Sequence, residues 1–280
     1  MLTQDAPCST SPSIETAPPP LVVLCGPTAA GKTIVAKELV EAARELELVP
    51  PSKGLMTALS GDQWPDLVRT WLNSEPGDDP PKRPDVDRRT DLALLRDLEI
   101  HSGARVVESA VLPMLLPAAN TALVIRLTAT PMVRARRIQD LVPEVTFQQA
   151  CAIVDRKDFA TCVAARAAWG IDIAERSAPR WRADLSVGCP HEFECPDENG
   201  CVDAVVALVR GAYAVYQCFL TGETFREWEQ SMLHFKGLLS THQLFVGRCS
   251  PLLIGSCREH TVAQWRHRLL FELDATEGLL

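Results

Sequence analysis

The chain has 280 residues, with 28 Lys and Arg against 36 Asp and Glu and a formal net charge of −8. An acidic surface of this kind has no general attraction for a nucleic-acid backbone or an anionic membrane, so neither is expected as a partner. Hydrophobic residues make up 46%, enough to fill a sizeable core, and no stretch reaches the roughly 20 uncharged apolar residues of a membrane-spanning helix.

Residues 1–20, MLTQDAPCSTSPSIETAPPP, are rich in Pro, Ser and Thr and read as a flexible leader. They have neither the basic nor the apolar region of a secretory signal, and the ten cysteines are scattered, which fits a reducing, cytoplasmic setting. Folding is expected to start at Leu21 with an apolar strand, a glycine-bounded loop and a helix carrying Val35, Ala36, Leu39, Val40, Ala43 and Leu46 on one face. A second strand is expected at LMTALS, leading to Asp62. Asn73 to Arg89, dense in Pro, Gly and charge, reads as a long mobile loop.

A short helix stopping at Gly103 is expected next, then a strand RVVES carrying Glu108 at its end. Ala122 to Ala129 is a further buried strand, followed by a helix bearing Arg134, Arg136 and Arg137. Thr146 and Gln149 stand at capping-box spacing, so a long helix is expected from there to about Trp169. Ala183 to Cys189 reads as the last strand, and beyond Cys201 an amphipathic helix leads into a helical remainder. Strands alternating with helices imply a three-layer α/β fold around a parallel sheet. The expected organisation is a leader (1–20), an α/β domain (21–200) and a helical C-terminal extension (201–280) packed on the core.

One motif carries specific chemistry. Gly26, Gly31, Lys32 and Thr33 have the spacing G-x-x-x-x-G-K-[ST], directly after a strand and before a helix. In that context Gly26, Pro27, Thr28, Ala29, Ala30 and Gly31 form a phosphate-binding loop. Lys32 is placed to reach the outer phosphates and Thr33 to hold Mg2+, with ATP the expected nucleotide. Arg134 and Arg137, together with Arg156, Lys157 and Arg166 on the next helix, form a candidate cationic cover for a transferring phosphoryl group. The alternative for each is a solvated ion pair with Asp140, Asp155 or Asp158.

The succession GPTAAGKT, RVVESAVL, VIRLTATPMVRARRI, DRKDFATCVAARAAWGIDI and ADLSVGC resembles the cytidylate kinase-like branch of the P-loop nucleoside monophosphate kinases. The resemblance runs over residues 21 to 190 and implies ATP-dependent phosphoryl transfer, with Arg134, Arg137, Arg156 and Arg166 in the lid or phosphate clamp. Ser109 and Ala110 stand where members of that group often have an arginine, and the acidic, proline-rich Asn73 to Arg89 replaces the nucleotide-binding insert. The acceptor therefore stays open between a nucleoside monophosphate and the hydroxyl of a small metabolite.

Two acids are expected at strand ends beside the loop. Glu108 is a candidate for magnesium or acceptor positioning, and Asp62, in SGDQW, for the same role or as a base that deprotonates a hydroxyl acceptor. GPTAAGKT also resembles the loop of adenylate and tRNA isopentenyltransferases, in which it grips a prenyl diphosphate and an aspartate like Asp62 activates an amine. A nucleotide-binding regulatory protein is the third reading. Cys189, His191, Cys195 and Cys201 lack paired C-x2-C spacing and read as ordinary thiols and a surface histidine rather than a zinc site. The aromatic-rich tail, with Trp228, Phe235 and Phe245, is a candidate dimer interface or pocket wall, and His234, His242 and Arg248 are candidate substrate contacts.

Overall fold

The structure is a computed structural model that describes residues 20–49, 84–101, 103–116, 122–173, 183–188, 198–221, 225–241 and 245–249. Its elements in chain order are β1 (Leu21–Cys25), α1 (Lys32–Ala42), β2 (Glu47–Leu48), α2 (Pro84–Ile100), β3 (Arg105–Glu108), α3 (Leu112–Leu115) and β4 (Leu123–Thr128). They continue with α4 (Pro131–Leu141), α5 (Phe147–Trp169), β5 (Leu185–Gly188), α6 (Glu198–Thr221), α7 (Phe225–Thr241) and β6 (Phe245–Cys249).

The sheet runs β2-β3-β1-β4-β5-β6. Its first five strands are parallel, and β6 joins β5 antiparallel. A parallel sheet covered on both faces needs apolar residues in both directions, and β3 and β5 are buried at every position. Along β1, Val22 and Leu24 enter a core shared with α1 and α6, whereas Val23 and Cys25 enter a second core with α2 and α3. The protein is a three-layer α/β fold with a P-loop at the carboxyl end of its central strand.

A third apolar cluster joins α4 to α5 through Ala135, Ile138, Ile153 and Val154, and Ala29 of the phosphate loop packs against it. The capping box expected at Thr146 is formed: its hydroxyl accepts from Gln149 N at 3.3 Å, and Thr146 N donates to Gln149 Oε1 at 2.9 Å. Gly170, at φ 67°, ends α5 in a left-handed cap.

Four local expectations are corrected. The first helix stops at Ala42 rather than Leu46, because Ala43 leaves helical backbone and the chain turns into β2, a two-residue strand too short to show alternation. Helix α2 begins at Pro84, so the loop expected to run to Arg89 ends sooner; proline at a first helical position already has the required φ. The strand at β5 is not the last, since β6 follows it on the outer edge. Cys201 lies within α6 rather than in the loop before it. The strand expected at LMTALS lies outside the described residues, as do Cys189, His191, Cys195 and His242.

Helix α6 belongs to the main core: Leu208, Val209, Ala212, Val215 and Tyr216 pack with Leu24, Ile125 and Leu185. Helix α7 crosses it at Gly211, where a Cβ would come within 2.9 Å of Leu238 and 3.1 Å of Phe235. Phe235 is fully buried. Phe235→Ala should therefore lower stability by about 3–5 kcal/mol, read as a shift in the urea-unfolding midpoint. An unchanged midpoint would mean that α7 is not packed on α6 in solution.

Candidate functional site: a phosphate loop beneath an arginine-bearing helical hairpin

The loop owes its shape to two glycines. Gly26 has φ 137°, and a Cβ there would lie 2.1 Å from Leu127 O on the neighbouring strand. Only glycine lets the chain turn this close to β4. Gly31, at φ 97°, is the residue before α1, which starts without a side-chain cap. The first amides of α1 and the positive end of its dipole are therefore available to an anion. Ala29, at φ 58°, is the one described non-glycine residue with positive φ. Lys32 folds back across the loop, donating from Nζ to Gly26 O at 2.9 Å and Pro27 O at 2.7 Å.

Behind the loop, β1 and β3 pair with Leu24 opposite Glu108. This register brings Glu108 beside Thr33, whose Oγ1 donates to Glu108 Oε2 at 2.9 Å. Glu108 is only 3% exposed, and its Oε1 has no hydrogen-bond partner among the described residues. A buried carboxylate oxygen beside a hydroxyl, at the edge of a phosphate loop, is a donor set that suits Mg2+. The adjacent Ser109 hydroxyl accepts from Leu112 N at 3.0 Å and Val111 N at 3.3 Å, which ties it to the turn that enters α3.

Two of the expected arginines reach the loop. Arg134 Nη1 donates to Thr28 O at 3.3 Å, and Arg137 Nη1 donates to Ala29 O at 3.0 Å. Arg134 is itself buried and pairs with Asp158 Oδ2 at 2.5 Å, while Asp158 Oδ1 accepts from Thr28 N at 3.1 Å. Asp158 had stood out in the sequence only as a surface partner for an arginine. What places it on the loop is the packing of α5 against α4, which no local pattern encodes. Arg136 turns away and lies over the Phe147 ring at 5.3 Å. Arg166, two turns beyond Asp158 on α5, is largely exposed and pairs with Asp172. Asp62 lies outside the described residues.

On the α2 face, Trp169 Nε1 donates to Asp91 Oδ2 at 2.8 Å, and Arg88 lies over the Trp169 ring at 5.1 Å. Burial pushes the Asp91 carboxyl from 3.8 up to about 6, with the Trp169 hydrogen bond opposing the rise and Asp87 adding to it. Among the described residues no group of three or more His, Cys, Asp or Glu side chains is arranged to hold a metal. No described helix is long and apolar enough to cross a membrane.

No protein-family model matches the chain, and no curated protein matches it. Solved structures do. A shikimate kinase from Bacteroides thetaiotaomicron shares 12% identity at a TM-score of 0.39, covering 69% of this chain and 96% of that one. A gluconokinase from Sinorhizobium meliloti shares 11% identity at a TM-score of 0.37, covering 81% and 100%. An uncharacterized protein from Eubacterium ventriosum shares 12% identity at a TM-score of 0.44, covering 68% and 94%.

Gly26→Ala forces a Cβ into the Leu127 carbonyl, so it should cost about 2 kcal/mol or more in thermal or urea unfolding; wild-type stability would refute the close approach. For Asp91, the folded state holds its proton up to about pH 6 whereas the unfolded chain releases it near 3.8, so its contribution to stability is present at low pH and is lost as pH rises through that window. Asp91→Asn should flatten the fall in melting temperature between about pH 4 and 6, and an unchanged slope would show that Asp91 titrates normally.

Proposed function

We propose that the chain is a P-loop kinase that transfers the γ-phosphoryl group of ATP to a small-molecule acceptor. The observation that carries this reading is the convergence on one loop of Lys32, the Thr33–Glu108 pair and two guanidinium groups, Arg134 and Arg137. A loop that only grips a diphosphate needs Lys32 and its amides. Phosphoryl transfer spreads charge over the outer oxygens and gains from additional fixed cations over the loop.

Thr33 and Glu108 would hold Mg2+, which when bound neutralises charge on the phosphate oxygens. The loop amides between Gly26 and Lys32 orient the polyphosphate chain. Lys32 exchanges its loop carbonyls for phosphate oxygens, and Arg134 and Arg137 meet the charge that develops at the outer end. The α4–α5 hairpin, held against the loop by Arg134 and Arg137, shields the outer end of the polyphosphate from water and so limits hydrolysis of ATP in place of transfer.

For the acceptor we favour a hydroxyl on a small metabolite over a nucleoside monophosphate. Next to Glu108 the chain presents Ser109, whose hydroxyl is engaged by Leu112 N at the entry to α3, and Ala110, so no cation follows the strand acid to grip an acceptor phosphate. A hydroxyl needs a base, and Asp62 is assigned that role. Among the described residues no observation favours the prenyltransferase alternative over transfer of a phosphoryl group.

The decisive assay is transfer from γ-labelled ATP to a panel of hydroxylated metabolites, nucleosides and nucleoside monophosphates, with dimethylallyl diphosphate plus AMP in parallel. Label should appear on a hydroxyl compound; consumption of the prenyl diphosphate without phosphate transfer would overturn the kinase reading. Lys32→Ala should abolish transfer with an unchanged circular dichroism spectrum. Asp62→Asn should lower turnover about a hundredfold or more while ATP binding is unchanged, and a mild effect would point to a phosphate acceptor instead.

A further inference from the structure

The lip of the phosphate loop is held by a group for which the proposed transfer has no use. Asp158 is a carboxylate, and it stands where an anionic nucleotide would arrive. Its Oδ1 accepts from the Thr28 amide at 3.1 Å and its Oδ2 from the Arg134 guanidinium at 2.5 Å. Arg134 closes the ring by donating to Thr28 O at 3.3 Å. A loop amide and a buried guanidinium are the donors that a phosphoryl oxygen takes.

Thr28 lies three residues before Gly31, away from the amides at the start of α1 that cradle the inner phosphates of a bound nucleotide. Its N–H belongs to the outer lip, on the side of α4 and α5. In the binding mode proposed above, a diphosphate seated on α1 would leave this lip untouched, and a third phosphate would extend toward it.

We propose that Asp158 is a placeholder for the terminal phosphoryl group, and that its displacement from Thr28 N and Arg134 lets the α4–α5 hairpin distinguish a triphosphate from a diphosphate. The inference rests on the loop binding a nucleotide, as in the reading above. With Asp158 in place the loop is closed to the outer phosphate, and part of the binding energy of ATP is spent on opening it. Once displaced, Asp158 no longer pairs with Arg134, whose cation then passes to the phosphoryl group. Reset follows from the same contacts: after transfer the remaining diphosphate makes no claim on the lip, so Asp158 returns and product leaves from the closed-lip state.

The test is calorimetric titration of the full-length chain with the β,γ-imido analogue of ATP and, separately, with ADP. Asp158→Ala should bind the triphosphate about tenfold more tightly while its ADP affinity changes by less than about twofold, because only the triphosphate has to break two charge-assisted hydrogen bonds in the wild type. The same variant should melt at a lower temperature without nucleotide, since Arg134 is left buried and unpaired, and the analogue should restore the loss. Equal gains for both nucleotides would reduce the effect to charge repulsion and overturn the placeholder. Unchanged or weaker triphosphate binding would make Asp158 a mere support for Arg134 and overturn it as well. If Asp158→Ala does not fold, Asp158→Asn, which keeps the shape and removes the charge, should show the same selectivity with a smaller gain. A wild-type chain that binds neither nucleotide refutes the functional reading and the placeholder with it, whereas wild-type binding without the selectivity refutes the placeholder alone.

Discussion

The close approach of Gly26 to the Leu127 carbonyl is the constraint on which the rest of the site depends. Because the chain leaves β1 against its neighbour β4, the loop rises directly over the carboxyl edge of the sheet and α1 returns along one face. The same edge is where β3 ends at Glu108, one strand away. Sheet pairing thus decides which acid meets Thr33, and the glycine decides that the loop lies low enough for the meeting. A bulkier residue would lift the loop from both strands and separate groups that the register otherwise holds within hydrogen-bonding distance.

The charge distribution makes sense on this frame. The chain as a whole is acidic, yet the loop from Gly26 to Thr33 is met by three cations from two helices: Lys32 from α1, and Arg134 and Arg137 from successive turns of α4. A local positive cluster within a negative surface favours a small polyanion that can enter it and disfavours a large one that must also cross the surrounding field. The apolar seam between α4 and α5 gives this cluster its rigidity. Ala135, Ile138, Ile153 and Val154 pack the two helices together and so set where Arg134 and Asp158 meet the loop.

How much of this could be read from the residues differs from element to element. The loop was legible because its spacing, its preceding strand and its following helix are all local. The long helix α5 was legible for the same reason, through the Thr146 capping box and the helical spacing of the apolar residues that follow it, whereas its left-handed cap at Gly170 is seen in the structure. Strand β2 was not, since two residues carry no alternation, and α2 was partly masked by the prolines and charges around Pro84. Strand β6 was missed because FVGRC follows a helical stretch and its partner, β5, lies some sixty positions earlier. Within the site, Thr33 and Glu108 could be nominated singly, but their hydrogen bond depends on the β1–β3 register. The divergence of Arg134 and Arg166 depends on tertiary packing alone: both were equal candidates in the sequence, and only the first lies within reach of the loop.

Cys25 sits one residue before the loop, where a reactive thiol would expose the proposed nucleotide site to oxidants and alkylating agents. Burial removes that exposure. The side chain is 1% exposed, packed with Val23, Val107 and Val124, and its pKa is pushed up to about 12 by desolvation against the opposing pull of Lys32 and Arg126. Thiolate is therefore scarce at neutral pH, and reagents that need it have no purchase there. Cys151 and Cys162, on the helix that carries Asp158, are partly exposed by contrast. A thiol reagent that finds either of them therefore marks α5 and leaves the backbone that follows Cys25 untouched.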